Sequence, residues 1–370
     1  MSTALNVAAQ GTINGNGVVT VSKSVVRDLA NLNSLHDMTP QMALAQSIPS
    51  LLTELVQPSE SFLQTSTFEF DRTTYSQAMP ADKSYSERGL VIDARPETKT
   101  HRLGVPSFGM QAAISHKDVL RRRKPGTDSD FETMQAVVAE DMAAMRRGWA
   151  LFNERALAYN IVTGKTYVPN GSIPEVDCYL EFTGVAASSR PSKAFLLNDP
   201  TAYPAEQGED VRGMILNNLL EGQQVDGIVA LCSKTFFRKR KQHVKEEQAM
   251  VDRSGLDGQD PLIKRLANFK QQYRQYLGAD DILYIVYDAK INGNLLIPDG
   301  EAYFMPAGTV GLFMKAYAPA ETKSYVNTVA QREYMWQSED EFTGVQLMSE
   351  SNFVNVLVNP NSIIKGTITP

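Results

Sequence analysis

The sequence predicts an α+β chain that cannot bury all of its elements by itself and completes them against neighbouring copies. Three observations predict this. Residues 128–162 carry an unbroken helical period far longer than a small globule can cover. Residues 71–102 are a polar hairpin with almost no apolar residues of their own. Between residues 211 and 316, helical and strand patterns alternate as in a compact sheet-and-helix lobe.

The elements follow in chain order. Residues 1–37 read as an extended arm, with a loop cluster at Gly11, Asn14, Gly15, Asn16 and Gly17 and a helical turn from Ser24 to Leu32. Thr39-Pro40 starts a short helix, Thr as cap and Pro in the first turn, that stops near Pro49. Leu51 to Val56 forms a second one, ended by Pro58. The Thr- and Phe-rich stretch 61–70 reads as a strand. Beyond it charge alternates in sign through Arg72, Asp82, Lys83, Glu87, Arg88, Asp93, Arg95, Glu97, Lys99 and Arg102. Phe108 to Ile114 reads as the returning strand.

In the long helix, Phe131, Met134, Val138, Met142, Met145, Trp149, Phe152, Ala156 and Tyr159 recur every three or four residues and share a face. Asp128 or Ser129 would cap it and Gly164 would end it. Its length is about 50 Å at 1.5 Å per residue. Residues 166–183 suggest strands, with Val176, Cys178, Leu180 and Phe182 on one side. Helices follow at 211–220, 235–250 and 261–277, with strands at 227–232, 281–287, 303–305 and 310–316. The Val- and Asn-rich tail, 342–368, reads as strands returning to an earlier sheet.

Bulk properties exclude several function classes. The 370 residues are 42% hydrophobic, enough for a sizeable core. The net charge of −6 argues against a protein built to grip phosphates. Cys178 and Cys232 stand alone, which predicts two buried thiols rather than a disulfide framework or a zinc site. The N-terminus has no cationic and apolar leader pattern, so no signal peptide is expected, and no apolar run is long enough to span a membrane.

No motif carries chemistry. Gly164-Lys165-Thr166 resembles the end of a phosphate-binding loop, but Tyr159 stands where that loop needs glycine, and a helix precedes it. His36, His101, His116 and His243 lack ligand spacing. Asp280-Asp281 and Glu246-Glu247 read as solvated charge rather than acid/base pairs. Two basic clusters, Arg121-Arg122-Arg123-Lys124 and Arg238-Lys239-Arg240-Lys241, read first as solvated faces or inter-subunit ion pairs, and second as contacts with packaged nucleic acid or an acidic partner. No catalytic residue, metal ligand or cofactor is expected.

One set of fragments carries a resemblance by its order. The arginine-rich turn 121–124 precedes the long helix, which ends in Thr163-Gly164-Lys165. Pro174-Glu175-Val176-Asp177 follows, then Ile297-Pro298-Asp299-Gly300, Phe313 and Tyr317-Ala318-Pro319-Ala320. Val326-Asn327-Thr328, Gln331-Arg332-Glu333 and Gln346-Leu347-Met348-Ser349 complete the series. From about Thr39 to Pro370 the chain resembles the major capsid proteins of lambda-type tailed phages, which share the Hong Kong 97-type capsid fold.

The resemblance implies roles for the parts. Residues 1–58 would be an N-terminal arm, of which 1–37 extend beyond the lambda-type start, and 59–115 an E-loop hairpin. Residues 116–190 would be a peripheral domain with 128–162 as its spine helix, 191–335 an axial domain, and 336–370 the strands that close the peripheral domain. Inter-subunit contacts are expected at Arg72, Asp82, Lys83, Glu87, Arg88, Arg95 and Lys99 of the hairpin and at Arg121, Arg122 and Arg123 of the basic turn. The expected function is a non-enzymatic shell protein that assembles in the host bacterial cytoplasm. It would form pentamers and hexamers around double-stranded DNA, without sequence-specific DNA contacts and without a membrane. The implied partners are further copies of the chain, a portal protein, and decoration and scaffolding proteins. Lys83 and Lys99 would be available to a covalent cross-link, although lambda-type relatives generally rely on accessory proteins. The alternatives are a cellular compartment shell of the same fold and, from another class, a nucleotide-binding enzyme resting on Gly164-Lys165-Thr166.

Overall fold

The computed structural model describes residues 12–13, 19–20, 36–37, 51–74, 97–120, 133–220, 223–253, 274–291, 294–340 and 344–369. The chain forms two compact units. The first comprises residues 1–47, 107–149 and 332–351; the second comprises 48–106, 150–331 and 352–370. The strands are β1 (Thr12–Ile13), β2 (Val19–Thr20), β3 (His36–Asp37), β4 (Ser59–Phe62), β5 (Thr67–Thr74), β6 (Glu97–Gly104), β7 (Ser107–Ile114), β8 (Ser192–Phe195) and β9 (Gly227–Cys232). They continue with β10 (Gln275–Leu277), β11 (Ile282–Val286), β12 (Lys290–Ile291), β13 (Asn294–Leu295), β14 (Glu301–Ala307), β15 (Phe313–Ala318), β16 (Tyr334–Asp340), β17 (Gly344–Leu357) and β18 (Ile364–Ile368). The helices are α1 (Leu51–Val56), α2 (His116–Val119), α3 (Met134–Thr163), α4 (Cys178–Thr183), α5 (Pro204–Asn217), α6 (Lys234–Lys241) and α7 (Val244–Arg253).

In the first unit, β16 pairs antiparallel with the start of β17, β3 flanks β16, and β7 also pairs with β17. Gly344 is required where β17 begins. Its φ is +106°, and a Cβ there would meet the Ile114 carbonyl oxygen. The first half of α3 is tied to this sheet through Trp149, which is 2% exposed. Its Nε1–H donates to Ser349 Oγ at 2.7 Å, and that hydroxyl donates to the Tyr334 carbonyl at 3.0 Å.

The second unit is built on a six-stranded mixed sheet in the order β10-β11-β9-β14-β18-β8. β9 and β11 run parallel, as do β18 and β8, and the other neighbours are antiparallel. Strand alternation divides its residues between two faces. Val229, Leu231, Leu283, Ile285, Tyr303 and Met305 face a core that also holds Leu51, Leu52 and Leu55 of α1 and Leu157, Ala158 and Ile161 of α3. Ile228, Ala230, Cys232, Ile282, Tyr284 and Phe304 face a second core under α5 and α6, with Val211, Ile215 and Phe236. Both faces are covered, which is why β9 and β11 read as continuous apolar runs. β15 lies between the end of β17, antiparallel, and β4, parallel.

The α3 helix has the expected face but is shorter than expected, 30 residues or about 45 Å, because it begins at Met134, where Thr133 Oγ1 accepts the Ala136 N–H at 3.3 Å. Its expected start, with Asp128 or Ser129 as cap, lies outside the described residues. Gly164 ends it at φ +72°, its N–H donating to the Asn160 carbonyl at 2.8 Å. Arg190 donates to the last-turn carbonyls of Val162 and Ile161, placing a cation at the helix's negative end.

Several expectations change. The strand that returns from the hairpin is β6, which pairs with β5, whereas β7, expected in that role over 108–114, pairs with β17. Residues 166–177, expected as strand, are turns and loop with one isolated bridge from Lys165 to Asp177, and residues 178–183 are helix, not strand. Asp177 Oδ1 accepts the N–H groups of Tyr179 (2.9 Å) and Leu180 (3.3 Å), and Gly184, at φ +72°, closes the turn. The assumed two-residue alternation fails because Cys178 is fully buried while Leu180 is 56% exposed. The helix expected over 235–250 is two, α6 and α7, broken at Gln242-His243. The helix expected over 261–277 ends as strand β10, which pairs with β11; residues 254–273 lie outside the described residues. The helical turn over 24–32 and the helix beginning at Thr39-Pro40 also lie outside them.

Candidate assembly surface

Among the described residues, β5 and β6 pair only with each other. The register runs from Thr67 opposite Gly104 to Thr74 opposite Glu97. A two-stranded ribbon is marginal alone in water and needs packing along one face. Here alternation supplies it: Phe68, Phe70, His101 and Leu103 turn inward, while Glu69, Asp71, Thr100 and Arg102 stay exposed.

The inward face is rooted on α4. The Phe182 ring lies 5.8 Å from Phe70 and 4.9 Å from the His101 imidazole, edge to face. His101 Nδ1 is 2.7 Å from Glu181 Oε1. Arg72 Nη1 donates to the Phe182 carbonyl at 2.9 Å, one of the carbonyls that the end of a short helix leaves unpaired. The guanidinium carbon lies 5.8 Å from the Phe182 ring centre. Partial burial pulls the Arg72 guanidinium below its ordinary value. The outward face carries opposite charges side by side. Arg102 and Glu69 pair across the strands at 2.6 Å, and Thr100 Oγ1 donates to Asp71 Oδ1 at 2.6 Å. Both partners of the Arg102–Glu69 pair are well exposed.

Of the hairpin residues expected at contacts, Arg72 roots the ribbon and exposed Lys99 stands opposite it in the register. Asp82, Lys83, Glu87, Arg88 and Arg95 lie outside the described residues, as do Arg121, Arg122 and Arg123 of the basic turn. Phe70, His101, Glu181 and Phe182 were not expected at the root. The alternation in Thr67-Phe68-Glu69-Phe70 was the available signal for the two Phe residues; the α4 side had none in a stretch read as strand.

The second basic cluster requires a correction. Arg238, Lys239 and Lys241 are exposed, as a solvated face requires, but Arg240 is fully buried. It pairs with Asp280 at 2.8 Å and with Glu246 at 3.5 Å. Asp280 and Glu246, expected as solvated charge, are 1% and 2% exposed. The reason is periodicity: Arg240 follows Phe236 by four residues and Phe237 by three, so it shares their core-facing side of α6.

Nothing at Gly164-Lys165-Thr166 forms a phosphate cradle. Thr166 Oγ1 accepts the Val176 N–H at 2.9 Å, and Lys165 is bridged through its backbone to Asp177. His243 Nε2 contacts the Asp199 carbonyl at 2.9 Å. Among the described residues no group of His, Cys, Asp or Glu could hold a metal ion, and no helix is long and apolar enough to cross a membrane.

The architecture is that of solved phage shells. A protein described as the capsid protein of an E. coli CFT073 prophage matches with a TM-score of 0.54 at 12% identity, covering 89% of this chain and 95% of its own. The mature capsid of bacteriophage PhiM1 matches with a TM-score of 0.53 at 12% identity, covering 88% of this chain and 89% of its own. These likenesses define the class: an α+β subunit with the Hong Kong 97-type capsid fold. The chain belongs to the family described as phage major capsid protein E, whose model matches residues 34–368. The major capsid protein of Pseudomonas phage KPP10 is 28% identical, over 92% of this chain and 98% of its own. The protein is a non-enzymatic structural component of a phage capsid.

Proposed function

We propose that the chain packs as pentamers and hexamers into an icosahedral shell around double-stranded DNA, and that the β5/β6 hairpin is the arm by which one subunit grips the next. The observation that carries this reading is the ribbon itself, held at its root by Arg72, Phe70 and His101 and facing outward with paired opposite charges. An outer face of exposed pairs suits near-equivalent neighbours. Each pair is worth about 0.2–1 kcal/mol, so contacts can be exchanged one at a time while many copies hold together. The net charge of −6 keeps the subunit from adhering to the genome it encloses. In this reading α3 is the spine of a peripheral domain spanning 116–190, residues 191–335 form the axial domain, and 336–370 close the peripheral domain. Arg121, Arg122 and Arg123, with Asp82, Lys83, Glu87, Arg88, Arg95 and Lys99, meet neighbouring subunits. Assembly takes place in the host cytoplasm, with portal, scaffolding and decoration proteins as partners.

The test is electron microscopy of the purified full chain beside a variant whose residues 75–96 are replaced by a short Gly-Ser linker. Particles, tubes or sheets from the parent, and folded dispersed subunits from the variant, are expected. Equal assembly by the variant removes the hairpin from the contact. A parent that stays monomeric even with cognate accessory proteins overturns the shell reading.

A further inference from the structure

The strongest feature outside the hairpin is the charge cluster beneath α6 and α7. Arg240 is held from several sides. Its Nη1 donates to the Pro204 carbonyl of α5 at 2.7 Å and its Nη2 to Asp280 Oδ2 at 2.8 Å, and its guanidinium carbon lies 4.4 Å from the Tyr284 ring centre. Asp280 Oδ2 also accepts the Tyr284 hydroxyl at 2.8 Å. Glu246 Oε1 accepts the Ala279 N–H at 3.1 Å. The chain is shaped around Asp280: a Cβ on Gly208 would lie 1.6 Å from Oδ2, and one on Gly278 2.3 Å from Oδ1.

The charges do not balance. Two carboxylates, Asp280 and Glu246, face one guanidinium in a region that excludes water. Glu246 Oε2 lies 3.5 Å from Arg240 Nη2, and among the described residues Glu246 Oε2, Arg240 Nε and the Tyr276 hydroxyl have no hydrogen-bond partner. The other groups facing the cluster are Tyr284 of β11, Tyr276 of β10 and Cys232 of β9, and burial holds all three in their neutral forms. His243, in the turn between α6 and α7, contacts the Asp199 carbonyl. Among the described residues one negative charge is left without a counter-charge, and a buried uncompensated charge is costly.

We propose that Arg240, Asp280 and Glu246 form a buried proton-binding site that locks α6 and α7 against the β10–β11 edge of the sheet and tightens in mild acid. One proton brings the cluster to neutrality. Burial, with Glu246 adding to it, raises the Asp280 carboxyl from 3.8 to about 6. The folded lobe therefore binds this proton more tightly than the unfolded chain does. The stabilisation is complete below the ordinary value of 3.8 and is lost as pH rises through about 6. This slope opposes ordinary acid denaturation.

The test is urea unfolding of the full chain at pH 5 and pH 7.5, in the parent, in Asp280→Asn and in Glu246→Gln. The ratio of the parent's folding constant to that of Asp280→Asn should be roughly tenfold higher at pH 5 than at pH 7.5. Taking the ratio cancels His243 and the other groups that titrate alike in both proteins, while Glu246, which is coupled to Asp280, is addressed by its own variant. Glu246→Gln removes the repelling carboxylate, so the pH at which the stabilisation fades should move down. It also serves if Asp280→Asn does not fold. A ratio independent of pH overturns the proposal, as does an unmoved transition in Glu246→Gln.

Discussion

Replacing Arg72 with alanine should free the hairpin without unfolding the subunit. Two contacts are lost at the root: the charged hydrogen bond to the Phe182 carbonyl at 2.9 Å and the stacking over the Phe182 ring at 5.8 Å. A hydrogen bond from a charged donor contributes about 1.5–3 kcal/mol, and an exposed cation–ring contact about 0.5–1 kcal/mol. Arg72 is only half-buried, so the lower ends apply, giving about 2 kcal/mol, or roughly a thirtyfold increase in the local opening equilibrium. Phe70, His101 and Leu103 stay packed, so the loss is confined to the ribbon. Amide hydrogen exchange distinguishes the outcomes. Residues 97–104 should lose about that factor of protection, while the amides of β9 and β11 keep theirs. Arg72→Lys keeps the charge but not the planar fork, so it should fall between parent and alanine. Equal acceleration in β9 and β11 would make Arg72 a global stabiliser, and unchanged protection of 97–104 would remove it from the root. Either result refutes the reasoning.

Gly164→Ala should destabilise the second unit, because φ is +72° and the new Cβ would stand 2.4 Å from the Tyr179 ring. The backbone strain alone is about 1–3 kcal/mol and should show as a lower urea midpoint, which an unchanged midpoint would contradict. Burial raises the Cys178 thiol to about 11 and holds Cys232 higher still. Iodoacetamide at pH 8 should therefore leave both unlabelled in the folded chain and label both in urea, as mass spectrometry would record.

The elements legible in the sequence were those whose signal is periodic and self-contained. α3 was readable because its apolar residues recur every three or four positions, and β9 and β11 because both of their faces are buried. α4 was not. Six residues are too few for a helical period, and the deciding features were a cap at Asp177 and a left-handed glycine at Gly184, on either side of a pattern that also fits a strand. Arg240 was hidden differently. Its three basic neighbours are exposed and set the character of the run, while its partners come from 40 residues away at Asp280 and from the next helix at Glu246. Only its spacing from Phe236 and Phe237 marked it.

The hairpin shows why a polar stretch can still be rooted. A ribbon needs apolar side chains on one face only, and only over the length that touches its support. Phe68, Phe70, His101 and Leu103 meet that need at the base, so an overall polar composition and a fixed root are compatible. The two kinds of charge in the chain then divide the work by exposure. Pairs such as Glu69–Arg102 stand in water, are individually weak and respond to salt, which suits the exchangeable contact between subunits proposed for the hairpin. The Arg240 cluster is shielded from ions and responds to protons instead, which suits the inside of a lobe that has to keep its shape while those contacts change.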